Sequence, residues 1–529
     1  MTTVLNFKSG LDIPQWRPNA LAQNSAAVGS NYAWDMRNDV TRNPLLYFLQ
    51  ATNIFYQYNP IADGFLNLAT PALSAVGAGA ASVYHPSQGP RGTITAGATT
   101  TSVVLSTALP AAVGLNQLAN RGDGVGFIIR IIGNSAGGSG ILNERYITGN
   151  TTGTTPTITV GVAFDFTPAS GDAYEIISGR VFLLASGAAP TWEYYDIATN
   201  SYTTRSKINL PTIGTDSSMA ALSELHVSND RVPGSGFIGS VAYDTSAPTA
   251  KLGLAVTAVA NGTITLTGAP ANLATSEYRN FQVRVVKDAT NPTAAGQRRL
   301  IASHTSGAAA VLTLGANWTV NPSTAAIVVV ENNDNQVLLR STANTSLYCY
   351  SIATQSGGTA DTWDVSTTFG AAGSACGAGV ILAQAFGITR DPTGNVRQSF
   401  VYCVRGGNSN AIDYLDIAGG ANGAWTNGIT YGNQSQNFTT GTCGANDPVT
   451  LGGKYLHLNI NATQYFARFN MLSQTLESGT YSRFPQGLNP LVVGQHVAFN
   501  YLIDGTTKLA MLYFFTSGGQ TSFSQAIQF

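Results

Sequence analysis

Apolar and polar residues alternate along the chain in short segments, and one compound pattern recurs. An apolar strand is followed by a tight turn, an aromatic strand that often ends in Asp or Asn, a polar turn and a further strand. The aromatic strands lie in FYQYNPIADGF (55–65), WEYYDIATNSY (192–202), LYCYSIATQSGGTADTW (347–363), YLDIAGGANGAW (414–425) and FARFNMLSQTL (466–476). Short strands joined by polar turns predict antiparallel hairpins and meanders.

Meanders that recur roughly every 40–55 residues are typical of β-propeller blades. Each blade alone exposes an apolar face, and packing the blades around an axis buries these faces. The pattern gives five blades, and a sixth is expected from the C-terminal segment 508–529 together with strands from the first 40 residues. The polar residues that end the aromatic strands are expected to bind their own turn backbone rather than act in catalysis or hold a metal. They are Asn59, Asp196, Asp416 and Asn470.

The meanders resemble kelch-type blades, in which a Tyr-Asp-like pair precedes a polar turn and an aromatic residue follows on the next strand. The glycine doublet typical of kelch repeats is not regularly placed in this chain. The resemblance therefore implies the propeller architecture and not membership of the kelch family.

Two long intervals between the meanders contain a repeat. FIIRIIGN (127–134) matches FQVRVVKD (281–288), and TITVGVAFDFTP (157–168) matches VLTLGANWTVNP (311–322), at a constant offset of 154 residues. RYITGNTTG (145–153) and RLIASHTSG (299–307) match at the same offset. Alternation within these strands predicts antiparallel pairing with one buried face, and Phe164 and Trp318 are expected to be core residues.

The predicted fold class is all-β, a β-propeller of about six blades with two homologous inserted small β-barrel or sandwich domains. The predicted divisions are 1–89 (first blade and N-terminal closing strands), 90–178 (first inserted domain), 179–247 (second blade), 248–331 (second inserted domain) and 332–529 (remaining blades and C-terminal closing strand).

Composition and charge argue against several classes of partner. Only 10% of residues are charged and the net charge is −1, so binding to nucleic acid through phosphate neutralisation is not expected. No apolar run approaches the roughly 20 residues that span a bilayer, so no membrane partner is expected. The N-terminal segment lacks the pattern of a signal peptide. We therefore expect synthesis in a host cytoplasm and release by another route, such as lysis.

Candidate chemical groups are sparse and irregularly spaced. The five histidines do not form an HExxH motif or a metal pair, and the four cysteines do not show zinc-ligand spacing. These residues are His85, His226, His304, His457, His496, Cys349, Cys376, Cys403 and Cys443. The cysteines are interpreted as buried or edge thiols, and disulfides remain open.

Two short segments have a structural interpretation. Arg121-Gly122-Asp123 spells the tripeptide read by integrins, and a turn explains it. ENNDN (331–335) offers oxygen ligands without the spacing of an EF-hand loop. We predict no catalytic, cofactor-binding or metal-binding residues and no cofactor.

The repeated segment has a more specific resemblance. A strand containing Arg, a polar turn, an LTL-like strand, and Trp or Phe followed by a Pro resemble small β-barrel domains in structural proteins of tailed bacteriophages. The resemblance covers about 170 residues in two copies. It implies a non-enzymatic virion protein of the tail, neck or collar, assembled in many copies through the inserted domains. The implied partners are other virion proteins and copies of the chain itself in a symmetric homo-oligomer.

Two alternatives remain open. A capsid-decorating, receptor-binding or carbohydrate-binding propeller would place exposed aromatic residues in its loops, and Trp192, Trp363 and Trp425 are the candidates for a weak glycan contact. A glycosidase-type propeller would use two acids from distant blades, but the sequence nominates no pair.

Overall fold

The computed structural model describes residues 15–18, 31–34 and 45–528, with internal gaps of which the longest are 132–142, 223–253 and 478–495. Apart from two single-turn 3-10 helices, Gln117–Ala119 and Pro292–Ala294, the regular elements in these residues are β-strands. This confirms the all-β prediction. Within the described part of the chain, no helix has the length and hydropathy needed to cross a bilayer.

The strands are numbered in chain order. Up to residue 204 they are β1 (Gln15–Pro18), β2 (Asn31–Trp34), β3 (Leu46–Gln50), β4 (Ile54–Asn59), β5 (Gly64–Asn67), β6 (Ala81–His85), β7 (Gln88–Thr93), β8 (Ser102–Val104), β9 (Ile128–Ile131), β10 (Asn143–Asn150), β11 (Thr157–Val160), β12 (Ala173–Ile177), β13 (Arg180–Ala185), β14 (Thr191–Asp196) and β15 (Ser201–Thr204). From residue 217 they are β16 (Ser217–Leu222), β17 (Leu254–Ala260), β18 (Thr263–Thr267), β19 (Gln282–Asp288), β20 (Arg298–His304), β21 (Val311–Leu314), β22 (Ala326–Glu331), β23 (Gln336–Ser341), β24 (Tyr348–Ser351), β25 (Thr362–Val365), β26 (Ile381–Gln384), β27 (Ile388–Thr389), β28 (Val396–Arg397), β29 (Phe400–Val404), β30 (Ile412–Asp416), β31 (Ala424–Ile429), β32 (Cys443–Asn446), β33 (Tyr455–Asn459), β34 (Phe466–Asn470), β35 (Thr475–Glu477), β36 (His496–Asp504), β37 (Thr507–Phe515) and β38 (Ser524–Gln528).

Six antiparallel sheets of four strands follow one another along the chain. They are sheet 1 (β2-β3-β4-β5), sheet 2 (β6-β13-β14-β15), sheet 3 (β16-β23-β24-β25), sheet 4 (β26-β29-β30-β31), sheet 5 (β32-β33-β34-β35) and sheet 6 (β36-β37-β38-β1). Sheet 6 combines both ends of the described chain, because β1 pairs with β38 and Trp16 lies opposite Ile527.

The first strands of the six sheets contact one another in a closed cycle. β2 contacts β6, β6 contacts β16, β16 contacts β26, β26 contacts β32, β32 contacts β36, and β36 contacts β2. Several of these strands are rich in small residues, as in ASVYH of β6, SSMAAL of β16 and CGAN of β32. Small side chains suit strands that converge from six sheets.

Two six-stranded units interrupt sheets 2 and 3. The first insert (β7–β12) lies between β6 and β13, and the second insert (β17–β22) lies between β16 and β23. Pairing nevertheless continues across each insert, with Val83 opposite Phe182 and Ala220 opposite Leu338. The sequence pattern described the second to fourth strands of each sheet. It missed the first strand, whose small residues lack an aromatic signal.

The two inserts have the same strand order. The second insert is a closed barrel with the order β17-β18-β21-β20-β19-β22. The first insert has the order β7-β12-β9-β10-β11-β8, and a bridge between Ile94 and Leu105 links its two edges. A register shift falls at Ile147/Gly149 in β10 and at Ile301/Ser303 in β20, again 154 residues apart. Similar sequence is therefore accompanied by the same topology and the same backbone irregularity.

Aromatic and aliphatic side chains fill the layers between neighbouring sheets. Phe182 and Trp192 of sheet 2 pack against Tyr350 and Trp363 of sheet 3, and the Trp192 and Trp363 rings lie 4.8 Å apart. The second strands are buried on both faces, as in β23, whereas outer strands such as β31 are largely exposed. A strand covered on both faces gives a continuous apolar run rather than an alternating one.

Candidate functional site: the junctions of the two inserts

An arginine and an aromatic residue form an equivalent clasp inside each insert. Arg145 Nε donates to the Ala163 carbonyl at 2.8 Å, and Arg299 Nε donates to the Asn317 carbonyl at 2.7 Å. The guanidinium carbon lies 5.7 Å from the Phe164 ring centroid in the first insert and 5.4 Å from that of Trp318 in the second. Phe164 and Trp318 are both buried, which confirms that they are core residues. The shared Arg and Trp/Phe positions are thus explained by folding of each insert.

A buried carboxylate joins the two inserts. Glu175 on β12 is fully buried and receives Arg130 Nη1 at 2.8 Å and Arg91 Nη2 at 2.9 Å from its own insert. Arg298 on β20 approaches from the second insert, with Nη2 3.4 Å from Glu175 Oε1. Arg130 and Arg298 are also buried, whereas the Arg91 side chain is 27% exposed. Charge-assisted hydrogen bonds of this kind are strengthened by the low local dielectric.

Sequence divergence between the copies explains why this pair forms across the boundary. In the first insert, Arg130 lies opposite Glu175 on β12 and opposite Glu144 on β10. The equivalent Arg284 of the second insert lies opposite Val329 on β22 and Arg298 on β20. The second insert therefore has an additional arginine where the first has an acid. The buried contact of Arg298 is with the carboxylate of the other copy.

Each insert also contacts a turn of a four-stranded sheet. Gln117 Nε2 of the first insert donates to the Ala198 carbonyl of sheet 2 at 2.5 Å. Asn280 Nδ2 of the second insert donates to the Ile417 carbonyl of sheet 4 at 2.7 Å, and to the Ala421 carbonyl at 3.3 Å. The accepting turns are equivalent, since both follow the third strand of their sheet and both contain the sequence Asp-Ile-Ala.

The acid of each accepting turn binds the turn itself, as the sequence predicts. Asp196 Oδ1 accepts from Ala198 N at 3.1 Å, and Asp416 Oδ1 accepts from Ala418 N at 3.1 Å. Asn470 Oδ1 accepts from Ser473 N at 3.1 Å in sheet 5. The turn after Asn59 lies outside the described residues. The Asp side chains therefore fix the turns, and the turn carbonyls receive the inserts.

The remaining candidates from the sequence are placed as follows. His85, His304 and His457 are buried, and His304 Nε2 accepts from Tyr278 N at 2.9 Å while burial lowers the pKa of its ring. His226 lies outside the described residues, as do Gly122, Asp123, Asn332 and Asp334, and the His496 side chain is not described. Arg121, Asn333 and Asn335 are buried. Among the described residues, no group of His, Cys, Asp or Glu could hold a metal ion.

The tryptophans proposed for glycan contact do not present open ring faces. Trp192 and Trp363 are fully buried between sheets 2 and 3. Trp425 is half-buried, its Nε1 donates to the Gly370 carbonyl at 2.6 Å, and Arg340 covers its ring at 5.3 Å. Stacking on a sugar needs an accessible face, so these three residues do not form a glycan platform.

Asp216 is the acid at the start of the first strand of sheet 3. Burial raises the pKa of Asp216 to about 6, although hydrogen bonds from the backbone of Gly379 and Ser217 oppose the shift. The Gly379 N–H donates to Oδ2 at 2.7 Å and links sheet 3 to the segment before sheet 4. Sequence reasoning did not single out Asp216, because its burial depends on the meeting of two sheets.

Comparisons with known proteins give no family. No family model matches the chain, and no curated protein matches it. The structure of YjhT covers 95% of this chain and 95% of its own, with 8% identity and a TM-score of 0.31. Sqt1 of Saccharomyces cerevisiae covers 95% of this chain and 88% of its own, with 9% identity and a TM-score of 0.28. Both TM-scores are too low to establish a shared fold.

Proposed function

We propose that the six sheets are the blades of a β-propeller and that the inserts are two copies of one β-domain carried by it. The closed cycle of first strands and the pairing of β1 with β38 support the ring. The common strand order and the common register shift support a duplication. A ring with paired terminal strands leaves few open sheet edges, which favours a stable platform.

The protein is proposed to act as a non-enzymatic structural component of a tailed-phage particle, in the tail, neck or collar. The observation that carries this proposal is the mounting of the inserts. Each is hydrogen-bonded to a sheet turn, and the buried Glu175–Arg298 pair joins one insert to the other. Rigid mounting suits modules that must present a fixed surface to other virion proteins or to further copies of the chain.

Particle composition tests this proposal directly. We expect mass spectrometry of particles purified from lysates of producing cells to find the chain in a fixed ratio to other virion proteins, and antibodies against it to label one region of the particle. Absence from the particles, with the free chain remaining in the lysate, would contradict the virion role.

The propeller and the inserts need a separate test, because they could be correct without the virion role. A density map of the purified chain should contain a six-sectored ring with two attached barrels. A map without the ring would contradict the architecture whatever the particle assay gives.

A further inference from the structure

Two cysteines of neighbouring elements lie side by side in the core between sheets 3 and 4. Cys376 belongs to the segment that connects these sheets, and Cys403 lies on β29 of sheet 4. Their Sγ atoms are 3.6 Å apart, and both residues are buried. All four cysteines of the chain are free thiols in this structure.

The backbone holds Cys376 in place against sheet 3. Cys376 forms a parallel bridge with Thr342, its carbonyl accepts from Ala343 N at 2.8 Å, and its N–H donates to the Asn344 carbonyl at 3.2 Å. Cys403 is an interior residue of β29, with Leu382 and Asp413 opposite it on the two neighbouring strands. The two sulfur atoms are therefore kept close by secondary structure on both sides.

A buried arginine supplies positive charge at the same place. Arg340 is fully buried, and its Nη2 donates to the carbonyls of Asn344 and Ser374 at 3.2 and 3.1 Å. Among the described residues, its Nε and Nη1 have no hydrogen-bond partner. Asp413, the acid that faces this region, is bound by Arg405 at 2.6 Å. A thiolate would therefore supply the negative charge that Arg340 lacks.

The two thiols have different acidities. The hydrogen bond with Cys403 lowers the pKa of Cys376, and Arg340 and Arg405 act in the same direction while burial and Asp413 oppose it. The same hydrogen bond and burial raise the pKa of Cys403 well above the usual range of a thiol. Since the thiolate is the nucleophile, Cys376 is the thiol that attacks and Cys403 is the one that resolves the product.

We propose that Cys376 and Cys403 form an oxidisable dithiol that a peroxide converts to a disulfide. The Cys376 thiolate attacks one peroxide oxygen, the O–O bond breaks, and the departing hydroxide becomes water. The resulting Cys376 sulfenic acid is attacked by the Cys403 sulfur as it loses its proton, the S–O bond breaks, and a second water leaves. The two thiols lose two electrons and the peroxide is reduced to two molecules of water.

The disulfide would tie the segment between sheets 3 and 4 to the second strand of sheet 4. It closes a loop that includes β26 and the β27–β28 hairpin. Such a cross-link reduces the freedom of the unfolded chain, so the oxidised protein should be more stable than the reduced protein. The site is independent of the proposed virion role.

Peptide mapping of the full-length protein tests the proposal. The reduced chain is treated with hydrogen peroxide, denatured, and blocked with iodoacetamide. We expect two of the four thiols to be lost, and a linked Cys376–Cys403 peptide pair whose mass is lower by two hydrogen atoms. Cys349 and Cys443 should remain alkylated. A chain in which Cys376 and Cys403 stay alkylated while the other two react would overturn the proposal.

Two further measurements identify the order of events. In Cys403→Ala, dimedone should trap a sulfenic acid at Cys376, whereas Cys349→Ala, which changes another buried cysteine, should still form the disulfide. Failure of dimedone to label Cys376 in a folded Cys403→Ala would contradict the assignment. The wild-type chain treated in urea avoids dependence on any variant. We expect mixed pairings there and one pairing in the native chain, and the same mixture in both would refute a preformed pair.

Discussion

Glu175 of the first insert and Arg298 of the second are joined across the boundary between two units of similar sequence, with both side chains buried and Nη2 3.4 Å from Oε1. Equivalent positions in the two copies carry other residues, Val329 for Glu175 and Glu144 for Arg298. Duplication supplied the units, and divergence at these positions supplied the contact between them.

Replacing the shared carboxylate should destabilise the protein strongly. Glu175→Gln removes the negative charge and leaves the buried Arg130 and Arg298 uncompensated, so we expect the free energy of unfolding to fall by about 3–5 kcal/mol. Urea denaturation measures the loss. Arg91→Gln is the matched control, because its side chain is partly exposed and we expect a change of about 1 kcal/mol or less. Equal effects of the two substitutions would refute the role of the buried charges.

The inter-insert pair itself should appear as a coupling energy. A double-mutant cycle of Glu175→Gln and Arg298→Met should give a coupling energy of about 0.5–3 kcal/mol, since the two residues are in contact. The four proteins of the cycle are compared by urea denaturation. Strict additivity of the two single effects would mean that the inserts are not joined by this pair.

Removal of Asn280 should loosen the second insert from sheet 4. Asn280→Ala leaves the Ile417 carbonyl without the donor it has now, at a cost of about 1–3 kcal/mol. Hydrogen exchange should increase at the interface formed by 276–281 and 416–421. Thr293→Ala on the exposed surface of the same insert is the control and should leave exchange at this interface unchanged. No difference between the two variants would contradict the docking contact.

Stability should depend on pH through Asp216. Its folded-state pKa of about 6 is above the unfolded value of about 3.9, so the folded state holds the proton more tightly. The carboxyl therefore contributes a loss of stability that develops as pH rises from about 4 to 6 and is complete above that range.

Asp216→Asn removes this titration and keeps an oxygen that can accept from Gly379 N. We expect the variant to be more stable than the wild type by about 1–3 kcal/mol at pH 7 and nearly equal to it at pH 4. Thermal denaturation across this range measures the difference. A constant difference at all pH values would show that Asp216 does not titrate in this window.

Loss of β1 should open sheet 6. Truncation of residues 1–18 removes the partner of β38 and exposes the edge of that strand, so we expect a lower melting temperature and association in size-exclusion chromatography. Truncation of residues 1–14 is the control, because it keeps Gln15–Pro18. If both truncated proteins behave alike, pairing of the chain ends is not what stabilises the sheet.

Local chemistry in the sequence predicted those features that involve neighbouring residues. Asp196 and Asp416 bind their own turns because a short acidic side chain reaches backbone N–H groups two residues away. Repetition at a fixed offset predicted the two inserts, and the burial of Phe164 and Trp318 followed from their place in the repeat. These predictions required no knowledge of what each unit contacts.

Features that depend on distant segments were not predicted. The first strands of the sheets have small side chains and a weak pattern, and their partners lie beyond an insert in sheets 2 and 3. The oxidisable pair is of the same kind, since Cys376 and Cys403 approach only when the segment between sheets 3 and 4 packs against β29.

The sequence by itself determined the all-β class, the recurring meanders, the turn chemistry and the duplication, because each depends on periodicity and on side-chain reach along the chain. Tertiary structure alone decided that sheet 2 and sheet 3 continue across the inserts, that Asp216 is buried, and that Glu175 meets Arg298. Burial and ion pairing depend on distance in space, and two copies of one pattern do not specify which residues of one will face the other.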